Sequence, residues 1–206
     1  MREEDATTGK TANVKYRTLL LFGAPGSGKG TQGKILGTIP NFSHCACGDV
    51  FRNLRIDSEI GRAFLEYSSA GQLVPDEPTI QLWRENIEGT TRAGRYNPTT
   101  DTLVLDGIPR NRSQAEMLAD TLDVRAIFKL TCPDKSKLIE RLQRRALKEN
   151  RLDDANLEVI RERLETYERE TKPVLDFYGP ELVHIIDATQ TPVNVLREIL
   201  RLIAEL

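Results

Sequence analysis

The 206-residue sequence has no long apolar run, and none of its hydrophobic stretches approaches the roughly 18 residues that a membrane span requires. Its first sixteen residues, MREEDATTGKTANVKY, also lack the apolar centre of a secretion signal. We therefore expect residues 1–16 to form a disordered polar tail outside the fold, and we expect a cytoplasmic protein without a membrane partner.

The sequence also has few cysteines and a small net charge. The sequence has three cysteines, of which Cys45 and Cys47 are neighbours and Cys132 is distant, and this set fits neither a disulfide framework nor a four-ligand zinc site. The formal net charge of −2 gives no general attraction for nucleic acid. Any site for an anion must therefore be local, and we expect no nucleic-acid partner.

Short apolar runs alternate with helical patterns along the chain. Continuous apolar runs of about five residues are typical of parallel strands that are covered on both faces. The runs lie at 18–22, 42–46, 102–106, 125–130 and 183–187, and the helical patterns at 29–39, 76–90, 112–122, 134–148, 154–178 and 191–206. This order predicts an open, doubly wound α/β sheet in a single domain.

A glycine-rich segment, GAPGSGKGT at 23–31, follows the first strand and opens the first helix. That context is the one a phosphate-binding loop requires, because backbone N–H groups and the helix N-terminus then converge on phosphate oxygens. Lys29 would add a full positive charge. Gly30 stands where a magnesium-binding Ser or Thr usually follows the lysine, so we expect Mg²⁺ to be held through water and a carboxylate, with Asp106 as the candidate.

The segment RLQRRALKENRLDDAN at 141–156 is rich in arginine. By itself it fits a solvated helix surface or a clamp for a strongly anionic ligand. Arg141 and Arg145 are four residues apart and share one helix face.

The loop pattern GxPGxGKGT resembles that of the nucleoside monophosphate kinases, adenylate kinases above all. The resemblance continues in order from residue 18 to about residue 205. Its further segments are CGDVFR at 47–52, GQLVPDE at 71–77, DGIPR at 106–110, RLQRR at 141–145, RLDD at 151–154 and RLETY at 163–167. It implies a P-loop NTPase fold with a five-stranded parallel sheet of order 2-3-1-4-5 flanked by helices. Residues 17–206 would form one domain with an inserted NMP-binding lobe at about 46–75 and a short lid at about 144–151.

The resemblance also implies an enzyme, an ATP:AMP phosphotransferase that converts ATP and AMP reversibly into two ADP with Mg²⁺. Positive side chains would position and neutralise two polyanions. The residues implied in phosphoryl transfer are Lys29, Arg110, Arg145, Arg151 and Arg163. Those implied in ATP binding are Gly26, Ser27, Gly28, Lys29, Gly30, Thr31, Arg141, Arg145 and Gln190. Those implied in AMP binding are Cys47, Arg52, Gln72, Leu73, Val74, Gly107, Ile108, Pro109, Arg110, Gln114, Arg151 and Arg163.

Several positions depart from the family pattern. Only five residues separate Arg145 from Arg151, so we expect a short-lid form without zinc and, as in other short forms, a monomer. Cys47 replaces a common threonine, which keeps a UMP/CMP kinase open as an alternative, and a catalytically inactive nucleotide-binding regulator is a more remote one. Asp153 and Asp154 would either pair with lid arginines or cap the following helix. Arg144 and Lys148 receive no role from the resemblance and are expected at the solvated surface.

Overall fold

The computed structural model describes residues 15–55, 57–149 and 151–206. The tail predicted for residues 1–16 falls almost entirely outside these ranges. The described chain contains five strands: β1 Tyr16–Gly23, β2 Phe42–Ala46, β3 Thr102–Asp106, β4 Leu122–Thr131 and β5 Val183–Asp187. All pairings are parallel and the order is β2-β3-β1-β4-β5, which confirms the predicted sheet.

Helices connect the strands. They are α1 Lys29–Leu36, α2 Cys47–Arg52, α3 Glu59–Ser69, α4 Asp76–Arg92, α5 Arg112–Leu118, α6 Lys135–Glu149, α7 Leu157–Thr166, α8 Val174–Tyr178 and α9 Pro192–Ala204. The prediction of one continuous helix over 154–178 was wrong. A π-helical turn at Tyr167–Thr171 follows α7, and Pro173, which has no N–H to donate, precedes α8. The helix predicted over 112–122 also ends early, because Leu122 already belongs to β4.

The sheet separates two apolar layers, and alternate residues of β1 enter each. Leu20 packs on one face with Trp83 of α4, while Leu19 packs on the other with Leu36 of α1 and Ile199 of α9. All five side chains are at most 1% exposed, and burial of each leucine or isoleucine among them stabilises the fold by about 1.5–3 kcal/mol. Because both faces of the central strands are covered, the runs 19–22 of β1 and 103–105 of β3 are continuously apolar rather than alternating.

A third, smaller cluster joins the hairpin of α6 and α7. It consists of Leu138 and Leu142 of α6 with Ile160 and Leu164 of α7. The backbone of α6 lies close to the phosphate loop: a Cβ placed on Gly26 would come within 2.8 Å of the Leu138 carbonyl oxygen. The hairpin is therefore packed directly on the loop that follows β1.

The carboxyl ends of β1, β2 and β3 meet at one edge of the sheet. Leu21 of β1 and Ala46 of β2 are both in register with Asp106 of β3. Ligands of open α/β sheets bind outside this edge. None of the helices in the described ranges is long and apolar enough to span a bilayer.

Candidate active site

The loop between β1 and α1 has the backbone shape of a phosphate cradle. Gly26 and Gly28 have φ angles of 83° and 99°, which lie in the left-handed region that favours glycine. The Lys29 ammonium donates hydrogen bonds to the carbonyl oxygens of Gly23 at 2.6 Å and Ala24 at 3.2 Å. Burial lowers the pKa of Lys29 to about 8, although the nearby Asp106 carboxylate acts in the opposite direction. Burial therefore destabilises the charged form of Lys29, and an anion bound in the loop would stabilise it.

The loop opens into a cavity of about 860 Å³. Its wall includes every site residue named from the sequence except Ile108, which is 1% exposed and belongs to the apolar layer under α4 and α5. The size suits small-molecule ligands, since such sites span about 300–1,000 Å³.

The wall beside α9 comes from Arg141 and Gln190. Arg141 donates to the Ala188 carbonyl oxygen at 3.0 Å. Gln190 donates to Glu198 of α9 at 2.7 Å. These bonds tie Arg141 to the loop after β5 and Gln190 to α9, on the side of the cavity where α1 and α9 meet.

The opposite wall comes from α2 and from the segment after β3. Cys47 is the first residue of α2, and burial raises the pKa of its thiol to about 11, so the thiol is neutral. Arg52, at the other end of α2, pairs with Asp49. Arg110 donates from Nε to the Gly107 carbonyl oxygen at 2.7 Å, and Gln114 of α5 is 1% exposed. Two arginines therefore face the phosphate loop from this wall.

The third wall is the α6–α7 hairpin, where three arginines converge on Asp154. The Asp154 side chain is 0% exposed and pairs with Arg145 at 2.7 Å, with Arg151 at 3.3 Å and with Arg163. Asp153 adds contacts to Arg163 at 2.8 Å and to Arg151 at 3.4 Å. Asp153 and Asp154 thus pair with the arginines.

The hairpin charges also perturb one another. Burial lowers the pKa of Arg163, and Asp153 and Asp154 oppose that shift. The pKa of Asp153 is lowered: burial acts to raise it, and the charges of Arg163 and Arg151 outweigh that effect. The side-chain cap of α7 is Asn156, which accepts from the Glu158 N–H at 2.8 Å. Capping is therefore not the role of the two aspartates.

The cavity also contains residues that sequence reasoning did not assign. Arg144 and Lys148 of α6 line it, although Arg144 is largely exposed and pairs with Glu140 at 2.5 Å. Their spacing from Arg141, three and seven residues, places all of them on one helix face, and this signal was available in the sequence. Arg163 of α7 lines the cavity, whereas Arg161, two residues earlier on the same helix, is exposed.

A phosphate loop at the carboxyl edge of a parallel sheet, with arginines from α2, from the segment after β3 and from the α6–α7 hairpin on the facing walls, defines a P-loop kinase of nucleoside monophosphates. Residues 21–182 match the family model described as Adenylate kinase. The chain is 37% identical to the adenylate kinase of a Cyanothece species over 195 residues, 91% of this chain and 95% of that protein. It is 41% identical to the Thermobifida fusca adenylate kinase over 82% of this chain and 89% of that protein. Over 84% of this chain and 88% of that protein, it is 35% identical to an adenylate kinase of Porphyromonas gingivalis. The chain belongs to the adenylate kinase family.

Proposed function

We propose that this protein transfers the γ-phosphoryl group of Mg²⁺-bound ATP to AMP, reversibly, giving two ADP. One observation carries the proposal: the Lys29 ammonium and seven guanidinium groups line a single cavity. The seven belong to Arg52, Arg110, Arg141, Arg144, Arg145, Arg151 and Arg163. Two polyanions repel each other strongly, so a site that unites them needs this density of positive charge.

ATP is assigned to the side of the cavity formed by the phosphate loop and α9. The loop N–H groups from Gly26 to Thr31 and the Lys29 ammonium would hold its β and γ phosphates. Arg141, tied to the loop after β5, and Gln190, tied to α9, would border the adenine. Anion binding also restores the full charge of Lys29, whose pKa burial has lowered to about 8.

AMP is assigned to the side formed by α2, the segment 72–74 and the segment 107–110. Arg52 and Arg110 would grip the acceptor phosphate, since planar guanidinium groups form paired bonds to phosphate oxygens. Gln114 would meet the base edge, with the small neutral Cys47 thiol beside it. Ile108 is buried beneath this wall, so its contribution is to packing.

The hairpin arginines are assigned to the transferring group. Arg145, Arg151 and Arg163 would neutralise the charge that develops on the phosphoryl oxygens in the transition state. Asp153 and Asp154 hold them in place before substrate arrives. Closure of the 46–75 and 144–151 lobes over both nucleotides would exclude water, which otherwise competes as phosphoryl acceptor.

The residues present fit a magnesium ion that is held largely by the nucleotide. The Asp106 carboxylate lies at the phosphate loop, since a Cβ placed on Gly30 would be 3.6 Å from Asp106 Oδ2. Mg²⁺ in kinases is commonly bound by one or two carboxylates together with water and substrate phosphates. Asp106 would hold the ion through water, and the ion would neutralise phosphate charge.

The three relatives named above are adenylate kinases, which favours AMP over UMP or CMP as the acceptor. All of the proposed site residues come from one chain, so we also propose that the protein works as a monomer. A cytoplasmic location is proposed because the reaction draws on the cellular ATP pool.

A coupled assay with Mg²⁺-ATP and AMP, UMP or CMP tests the proposal. We expect turnover with AMP to exceed turnover with the pyrimidine nucleotides, and the reverse order would contradict the assignment. Lys29→Met should lower kcat by orders of magnitude without loss of helical content by circular dichroism. Lys172→Met is the matched control, because Lys172 is exposed and pairs only with Glu168 among the described residues. It should keep near-normal kcat.

A further inference from the structure

The side-chain amide of Gln114 makes two hydrogen bonds, one to a donor and one to an acceptor. Its Oε1 accepts a hydrogen bond from the Arg110 backbone N–H at 2.8 Å, and its Nε2 donates to Asp76 Oδ1 at 2.8 Å. A backbone N–H can only donate, and an ionised carboxylate can only accept. Of the two amide orientations related by a half-turn, one satisfies both partners and the other satisfies neither.

Asp76 is itself held in place. It is the first residue of α4, and its Oδ1 also accepts from Asn111 Nδ2 at 2.8 Å. Asn111 caps α5 through its own Oδ1, which accepts from the Gln114 backbone N–H at 2.8 Å. The start of α4 and the start of α5 are thus joined by a closed set of hydrogen bonds around one buried amide that borders the cavity.

Among the described residues, these two bonds leave one Nε2 proton and one Oε1 lone pair of the amide without a partner. The amide therefore offers a donor and an acceptor in a fixed spatial order. The edge of adenine presents an amino donor beside a ring-nitrogen acceptor. Hypoxanthine and uracil present the reverse, a carbonyl acceptor beside a ring N–H donor. An amide held in one orientation can therefore complement adenine, or it can complement hypoxanthine and uracil, but it cannot complement both kinds of base.

We propose that Asp76 is a positioning residue for acceptor specificity, which fixes the Gln114 amide in the order that accepts 6-amino purine monophosphates and rejects bases with a carbonyl there. This inference rests on the proposed function, in which AMP occupies the wall that contains Gln114. To bind a carbonyl base, the amide would have to rotate. Rotation would set Nε2–H against the Arg110 N–H and Oε1 against the Asp76 carboxylate, and each buried mismatch weakens binding by about tenfold or more.

The substitution Asp76→Asn tests this role, because asparagine has the same shape but can donate as well as accept. The readout is the ratio of kcat/KM for AMP to kcat/KM for IMP, a purine nucleotide of the same size with the reversed edge. We expect the ratio to fall by about tenfold or more, mainly through KM, with kcat for AMP close to wild type. Glu77→Gln is the control: Glu77 is exposed, lies in the same first turn of α4, and its substitution removes the same charge. It should leave the ratio within about twofold of wild type.

A double-mutant cycle separates positioning from direct contact. Gln114→Met removes the amide, so Asp76→Asn added to it should not change the ratio further. A further change would overturn the claim that Asp76 acts through Gln114. If Asp76→Asn fails to fold, the same ratio of kcat/KM values is measured in Asp76→Ser.

An unchanged ratio in Asp76→Asn, with both substrates slowed in parallel, would reduce Asp76 to a structural role and overturn the proposal. An equal shift in Glu77→Gln would overturn it too, since charge alone would then suffice. Wild-type protein without AMP turnover would overturn the proposed function and this inference together. Normal AMP turnover with an unchanged ratio overturns this inference alone.

Discussion

Asp154 offers the sharpest test of how the hairpin arginines are held. Its carboxylate is 0% exposed and pairs with Arg145, Arg151 and Arg163, whose side chains are 30%, 11% and 20% exposed. In the substitution Asp154→Asn the shape is kept and the charge is lost. Three guanidinium groups would then share one neutral amide, with Asp153 as the nearest remaining carboxylate.

The expected cost follows from the burial of these groups. Removing one partner from a buried ion pair destabilises a protein by about 3–5 kcal/mol, because the remaining charge is left without compensation. The lower end applies here, since asparagine still accepts hydrogen bonds and the arginines are partly exposed. For a domain of this size, about 3 kcal/mol corresponds to a fall of roughly 6–12 °C in Tm. We also expect kcat to fall by about tenfold or more, because repulsion would spread the arginines that the transition state needs close together.

Differential scanning calorimetry and steady-state kinetics give the two readouts. The matched control is Glu168→Gln, which removes the carboxylate of an exposed pair with Lys172 at 2.7 Å. Exposed pairs are worth less than about 1 kcal/mol, so its Tm should change by at most a few degrees. If Asp154→Asn shifts Tm no more than this control and leaves kcat intact, the Asp154 carboxylate does not hold the three arginines together.

Two further predictions concern the phosphate side of the cavity. ATP phosphates should raise the pKa of Lys29 from about 8, so ATP binding should take up close to one proton at pH 9 and should weaken about tenfold between pH 7 and pH 9. Calorimetry in buffers of different ionisation enthalpy measures both the proton uptake and the affinity. Absence of proton uptake would contradict the contact between Lys29 and the ATP phosphates. Arg145→Ala should lower kcat more than it raises KM for AMP, and an effect confined to KM would show that the arginine serves ground-state binding instead.

The sheet could be predicted from the sequence because its signal is local and redundant. The centres of β1 and β3 are continuous apolar runs, and the run from 102 to 106 coincides with β3, whereas β2 (FSHCA) gave a weaker signal. The break between α7 and α8 was missed, although Pro173 was visible and the residue before a proline is biased away from helix. The π-helical turn before it, in which the Lys172 N–H bonds to the Tyr167 carbonyl, has no comparable sequence pattern.

Side-chain roles at the hairpin were harder to predict because they depend on three dimensions. Asp154 stands two residues before the Asn156 cap, so capping and ion pairing were equally consistent with its position. Pairing follows from the return of α7 alongside α6, which brings Arg145 and Arg163 to the same carboxylate. The role of Asp76 likewise depends on α4 and α5 starting side by side.

Because the α6–α7 hairpin is short, carboxylates hold a large part of it in position. Four leucine and isoleucine side chains join α6 to α7, with Leu138 and Leu142 next to the phosphate loop. Beyond Leu142, α6 continues to Glu149, and no buried apolar side chain of this cluster lies on that part of the helix. Arg145 and Arg151 stand beyond that point, where like charges repel and apolar packing is thin, and Arg163 approaches the same carboxylate from α7. The buried Asp154 carboxylate helps to fix the relative positions of α6 and α7, as a hydrophobic core does elsewhere. It does so by pairing with the arginines that are proposed to bind the phosphates.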